Sequence, residues 1–473
     1  MSFVSEHFLF FLSILFVLYY LAPKKFRWIL LLTGSLLFYA ASGFTLYLAL
    51  TITSTYLCSL MLDHQIHSRF RSRLILAAWL FVHIGLLAAV KLPAIGLIMP
   101  LGISYYTFQS AGYLIDVYHK KVKAERNPAK LALFVSFFPL IIQGPISRYN
   151  DLAQTLYTPG AFQRDIVTKG ARRILLGFFK KLVIANRLLA PVKLMSGGTE
   201  VFTGAYVALN ILLYAVLLYA DFSGGIDIAI GAANLFGIRV KENFNKPFYS
   251  SNIAEYWRRW HITMGSWFRD YLFYPLLACK PMRRFSRISR KHLGTGLGKQ
   301  LPVFVATLIT WLATGLWHGA TPNFIAWGLA NGIVIILSQA CEPLYKRFHT
   351  RFAFSNTKFY HGFAIFRTFW LLCAIRSFDI YQGVGQTFRM LFSVFQPWNM
   401  PMADIGLQPA DCLVALLSVL LLICAGRGRV RRRFDALGPA AKLSLCLLLL
   451  CIIIIFGEYG YGYNASQFIY SQV

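Results

Sequence analysis

The sequence predicts an all-α, polytopic integral membrane protein, and three observations carry that prediction. The 473 residues are 57% hydrophobic and only 14% charged, with a mean hydropathy of +0.56. Their apolar residues gather in runs close to the ~20 that a helix needs to cross a bilayer. Between the runs stand short basic clusters, so the chain is too apolar for a soluble globular protein and is segmented like a multi-spanning one. Counted at that length, the runs give roughly 11 to 13 membrane helices.

The first run, near residues 8 to 22, lacks a basic n-region and a small-residue cleavage site, so it reads as a span and not a removable signal peptide. No lipidation motif is present at either end. Spans follow near 26 to 43, 45 to 62, 74 to 90, 95 to 113 and 131 to 144. After them comes GPISRYNDLAQTLYTPGAFQRD, rich in Pro, Gly and polar residues. Irregular backbone of this kind survives at membrane depth only against protein or water, so part of the region is read as re-entrant. Further spans are expected near 173 to 192, 203 to 222, 301 to 318, 321 to 340, 362 to 380, 410 to 425 and 442 to 457. No long soluble domain or inverted repeat interrupts them. The chain is read as a single membrane domain over 1 to 473, with a motif-bearing core at 100 to 340 and a cytosol-facing amphipathic and basic segment at 237 to 300.

The charge balance, 47 Lys and Arg against 18 Asp and Glu, gives +29. Its distribution argues against nucleic acid as the partner. KKFR (24 to 27), RFRSR (69 to 73), KPMRRFSRISRKH (280 to 292) and RGRVRRR (427 to 433) are the positive-inside signature of cytoplasmic loops facing an anionic leaflet. The first loops place the N-terminus outside and 24 to 27, 64 to 73 and 117 to 130 inside. The same charge could draw in an anionic substrate. The eight cysteines are scattered without paired spacing, so neither a disulfide framework nor a zinc site is indicated, and no metal is expected.

Three stretches bear titratable groups where they are expensive to hold. In IAEYWRRWHITMGSWFRDYL, Trp257, His261, Met264 and Phe268 follow at helical spacing, with Arg258, Arg259, Arg269 and Asp270 as polar neighbours. The alternative reading is an interfacial helix whose His finds an ordinary hydrogen bond. In LPVFVATLITWLATGLWHG, the residues Thr307, Thr310, Thr314 and His318 share one face. With Trp257 and Trp317 they are candidate tunnel-lining residues, unless the threonines merely bond between helices. A buried imidazole there stays neutral and able to act as a general base. In YADFSGGIDIAIGAANLFG, Asp221 and Asp227 should face the interior and pair, with Arg258, Arg259 or Lys246 as partner. The Gly224-Gly225 pair suggests a helix break or a close helix contact. No H-E-x-x-H, G-x-S-x-G or true phosphate loop occurs, which disfavours a metalloprotease or a serine nucleophile.

Several segments together resemble the membrane-bound O-acyltransferase family, and in particular its bacterial branch that acylates extracellular polymers. These are PLGISYYTFQSAGYLIDVYHKK (100 to 121), FVSFFPLIIQGPISR (134 to 148), ARRILLGFFKKLVIAN (171 to 186), ADFSGGIDIAIGAANLFGI (220 to 238), NFNKPF, EYWRRWHITMGSWFRDYLFYPL and TGLWHGATPNFIAWGLANG. The tail FGEYGYGYNASQFIY (456 to 470) is similar to members that serve alginate O-acetylation. NFNKPF and SWFRDY lean toward those that D-alanylate teichoic acid. FYPLLACK departs from the Y-I-P-L and Gly-Gly continuation of the alginate type.

The resemblance implies a ring of helices around a central catalytic tunnel. It makes His318, in W-H-G, the catalytic base and His261, in W-R-R-W-H, the second catalytic histidine. Asp221, Asp227, Arg258, Arg259, Arg269 and Asp270 become supporting residues. It further implies no tightly bound cofactor, with acetyl-CoA or an acyl carrier protein as cytosolic donor. The remaining partners would be membrane lipid, a polysaccharide acceptor and an extracellular or periplasmic SGNH or esterase-like acyltransferase, all at the bacterial inner membrane. D-alanyl transfer to teichoic acid is the alternative within the class. A proton-coupled transporter or flippase using the same Asp and His residues, and a silent scaffold, are the alternatives outside it.

Overall fold

The structure, a computed structural model, describes residues 2–64, 68–92, 95–158, 160–197, 202–397, 405, 408–425, 428–460 and 468. It is helical apart from one isolated bridge between Phe244 and Trp260. Among the described residues, six helices are long and apolar enough to cross a bilayer: Thr45–His64, Arg69–Lys91, Ala205–Leu235, Lys280–His318, Pro322–Ala340 and Pro439–Phe456. The protein is therefore an all-α, polytopic membrane protein. Side chains such as Phe81 and Ile455 lie exposed on these helices, as they would on a surface bathed in lipid. Most of the tail singled out above, residues 461–467 and 469–470, lies outside the described residues.

The chain divides into two compact units, Met1–Pro191 with Val216–Glu242 and Ala403–Val473, and Val192–Ala215 with Asn243–Met402. In the first, helix ends follow local chemistry. Ser5 accepts from the Phe8 amide, and Asn127, ahead of Pro128, accepts from Ala129 and Lys130. The helix expected near 95 begins only at Ile103, because Gly102 sits at φ 71 and Pro100 cannot donate. The helix expected over 131 to 144 is interrupted at Phe137, because Pro139 has no N–H to give the Val135 carbonyl and its ring would clash with it in a continuous helix. The interruption is satisfied by protein: the Phe138 amide donates to Ser35 Oγ at 3.1 Å, and Gln109 Nε2 donates to the Phe134 carbonyl at 2.5 Å.

The span expected at 173 to 192 consists of Arg164–Phe178, a π-helical turn at Phe179–Ala185, and Asn186–Gly197. Its partner does not stop at residue 222 but continues unbroken through Ala205–Leu235. Gly224 is therefore a contact and not a break. A Cβ on the facing Gly177 would stand 2.6 Å from the Gly224 carbonyl oxygen, so small residues set the approach of the two backbones.

In the second unit the basic stretch at 280 to 292, expected as a loop, is helical and forms the start of Lys280–His318. Gly294, at φ 73 and ψ −175, interrupts that helix. Ser289 Oγ donates to the Gly298 carbonyl at 2.7 Å. Nine residues of straight helix would hold those groups about 13 Å apart, so the chain folds back at Gly294. Beyond the kink, the helix packs on Pro322–Ala340 through Gly315 and Gly328, whose α-carbons leave no room for a side chain between them. A small core of Val207, Ile211, Ala215 and Cys373 completes the unit.

Candidate active site

The histidine pair belongs to the second unit, and its backbone is not the continuous helix that the spacing predicts. Ile253–Arg259 ends at an extended Trp260, His261 adopts φ 46 and ψ 52, and Ile262–Phe268 starts afresh. Trp257, His261, Met264 and Phe268 therefore do not share one helical face. Asn243 causes the break. Its carbonyl accepts from the Ile262 amide at 3.0 Å, while the Asn245 amide donates to the Arg259 carbonyl at 2.9 Å, pulling 260 and 261 out of the helix.

The Asn243 side chain then fixes the imidazole. Its Oδ1 accepts from the Thr263 amide at 3.0 Å and from Thr263 Oγ1 at 2.9 Å, and lies 3.3 Å from His261 Nδ1. A backbone amide only donates, so the atom facing Thr263 is the amide oxygen, and an oxygen only accepts. His261 consequently carries its proton on Nδ1 and its lone pair on Nε2. The ring is fully buried, outside the six long apolar helices, and burial pushes its pKa down to about 3, which keeps it neutral. Replacing Asn243 with alanine should strand the Thr263 amide and free the imidazole to rotate. We expect a loss of about 1 to 3 kcal/mol in thermal unfolding, with acyl transfer reduced more than stability.

His318 ends the Lys280–His318 helix, buried at 7% exposure. Trp317 connects the two histidines: its ring lies 6.0 Å from that of His261 and 4.9 Å from that of His318. His318 also stacks on Phe324 at 6.0 Å and meets Trp327 edge-on at 4.8 Å. Trp257 extends this aromatic wall, 5.6 Å from Trp327 and 4.7 Å from Trp311, and its Nε1 donates to Asn331 Oδ1 at 3.1 Å. The structure thus brings His261, His318, Trp257 and Trp317 to one aromatic cluster. The threonine stripe spends its hydroxyls on its own helix, with Thr307, Thr310 and Thr314 donating to Val303, Ala306 and Thr310 carbonyls at 2.7 to 2.8 Å.

The polar neighbours are placed differently. Arg258 is exposed, Arg259 pairs with Glu255 at 2.6 Å, and Arg269 pairs with the adjacent Asp270 at 2.8 Å. A cation not singled out from the sequence packs on the residue before His261: Arg376, 3% exposed, sits 4.3 Å over the Trp260 ring, donates to Tyr256 Oη at 2.8 Å and faces Asp379 at 3.4 Å. The signal for it was present, since Arg376 and Asp379 stand inside an otherwise apolar run.

Asp221 and Asp227 belong to the first unit, and the partners found for them there are not the expected Arg258, Arg259 or Lys246 but cations of the segment from Arg164 to Gly197. Lys181 Nζ lies 2.7 Å from Asp221 with both side chains essentially buried, while Lys180 at 2.6 Å and Arg173 at 2.9 Å share Asp227. The nearer partners won because the π turn and the glycine contact bring FFKKL directly against this helix. Among the described residues no three His, Cys, Asp or Glu side chains gather as a metal site requires.

Residues 31–378 match the model of the membrane-bound O-acyltransferase family. The chain is 33% identical over 364 residues to a probable alginate O-acetylase AlgI of Azotobacter vinelandii, covering 72% of this chain and 69% of that one. It is 32% identical over 430 residues to the probable alginate O-acetylase AlgI of Pseudomonas fluorescens, covering 88% and 81%. It is also 27% identical over 306 residues to the teichoic acid D-alanyltransferase of Bacillus subtilis, covering 63% and 71%. The chain belongs to the membrane-bound O-acyltransferase family. It is an acyltransferase, a multi-pass protein of the bacterial inner membrane, with the AlgI-like members among its relatives.

Proposed function

We propose that the protein takes an acetyl group from acetyl-CoA at the cytosolic face and delivers it outward for O-acetylation of a polysaccharide, directly or through a periplasmic esterase-like partner. The observation that carries this reading is the convergence of His261 and His318 on Trp317 at the end of a long apolar helix. His318 is the general base. It takes the proton of the acceptor hydroxyl as that oxygen attacks the thioester carbonyl; the C–O bond forms, the C–S bond breaks, and the proton passes to the departing thiolate. His261, neutral with its lone pair on Nε2, orients the reacting groups. The aromatic wall limits water, which would otherwise hydrolyse the donor. Arg259, Arg269, Asp270 and the two ion-paired aspartates serve as scaffold. The roughly eleven to thirteen spans expected from the sequence would form a ring around a central catalytic tunnel, with the whole chain acting as one membrane domain.

D-alanyl transfer from a carrier protein to teichoic acid is the second reading, favoured by the similarity to the Bacillus subtilis protein. The two are separated by mild alkaline release of ester-linked groups from cell-surface polymers, comparing cells with and without the protein. Acetate appearing only with the protein is the expected result. D-alanine in its place would transfer the assignment to the second reading, and no difference in either would overturn both.

A further inference from the structure

A cavity of about 540 Å³ in the second unit lies where the basic helix folds back on itself, lined by Arg283, Ser286, Arg287, Arg290 and Lys299 together with apolar side chains. The arginines follow at intervals of four and three, which puts them on one face of the helix, with Ser286 beside them. Lys299 reaches the same cavity from beyond the Gly294 kink, held there by the Ser289 to Gly298 hydrogen bond.

Among the described residues no carboxylate forms an ion pair with this group. The sequence contains no Asp or Glu from residue 271 to 341. The ion pairs among the second unit's described residues, Arg259–Glu255, Arg269–Asp270, Lys346–Glu342 and Arg376–Asp379, involve none of the four cations. Four like charges around one concavity repel one another, and an anion relieves that repulsion. Guanidinium forks match phosphate oxygens two at a time, and a serine hydroxyl adds a further donor.

We infer that this cavity is a binding site for a phosphate ester, the chemistry shared by the nucleotide end of coenzyme A and the headgroup of an anionic phospholipid. The coenzyme source rests on the donor proposed above; the lipid source does not. Either way the site stands apart from the histidines. From Lys299 to His318 the helix rises roughly 28 Å, so the cavity would hold the ligand's charged end far from the reacting carbonyl.

The test uses the full-length protein in nanodiscs of neutral phosphatidylcholine, titrated separately with coenzyme A and with short-chain phosphatidylglycerol. Wild type is compared with Arg287→Gln/Arg290→Gln, whose exposed positions leave folding intact, as circular dichroism would verify. Loss of two charge-assisted hydrogen bonds should weaken binding at least about tenfold, and raised salt should weaken wild-type binding further. A drop confined to coenzyme A identifies a donor site; a drop confined to phosphatidylglycerol identifies a lipid site. Failure of wild type to bind either, or equal binding by wild type and variant, overturns the inference. Absence of acetyl transfer with coenzyme A binding intact would instead fault the proposed function and leave the site standing.

Discussion

Replacing His318 with alanine is expected to leave a folded, inserted protein whose acyl transfer falls by about 10² to 10⁴, the contribution of a general base. The side chain ends a helix whose packing rests on Gly315, Gly328 and the tryptophans, so its removal disturbs little else. Ester release from purified polymer acceptor, normalised to membrane-inserted protein, provides the measurement. Normal ester formation by the variant would remove His318 from the mechanism. The companion change at His261 must respect its left-handed backbone at φ 46, which alanine tolerates poorly. His261→Asn retains that conformation and removes the imidazole, so it separates the ring's chemistry from the backbone's shape. It should lose activity with little loss of stability.

The second large effect is structural. Lys181→Met leaves Asp221 charged and buried without its cation, and such a broken pair costs about 3 to 5 kcal/mol. The expected result is a marked fall in unfolding temperature in detergent, with poor membrane yield. Changing both residues, Lys181→Met with Asp221→Leu, should recover most of it, since neutral apolar groups of similar size often replace a buried ion pair at little cost. A double variant no better than the single would show that the charges do more than satisfy each other.

How much of this could be read from residues alone varied with the kind of force involved. The long apolar runs located the six helices that are long enough, among the described residues, to cross a bilayer, because hydrocarbon thickness fixes their length. Charge composition concealed the helix at 280 to 292, although Arg, Lys, Ser and Met sustain a helix and no glycine interrupts them before Gly294. The break at His261 was not legible, since W-R-R-W-H-I-T-M has helical spacing and only the distant Asn243 overrides it. The aspartates' partners were within reach: Lys180 and Lys181 interrupt an apolar run as conspicuously as the carboxylates they meet.

The π turn at Phe179–Ala185 has a consequence for how such chains can vary. A π turn holds one residue more than the α-helix around it, so a one-residue deletion there is absorbed by restoring α winding, and the helices on either side keep their facing. What such a deletion displaces is the turn itself: Lys180 and Lys181 lie inside it, so their reach to Asp227 and Asp221 depends on the extra residue.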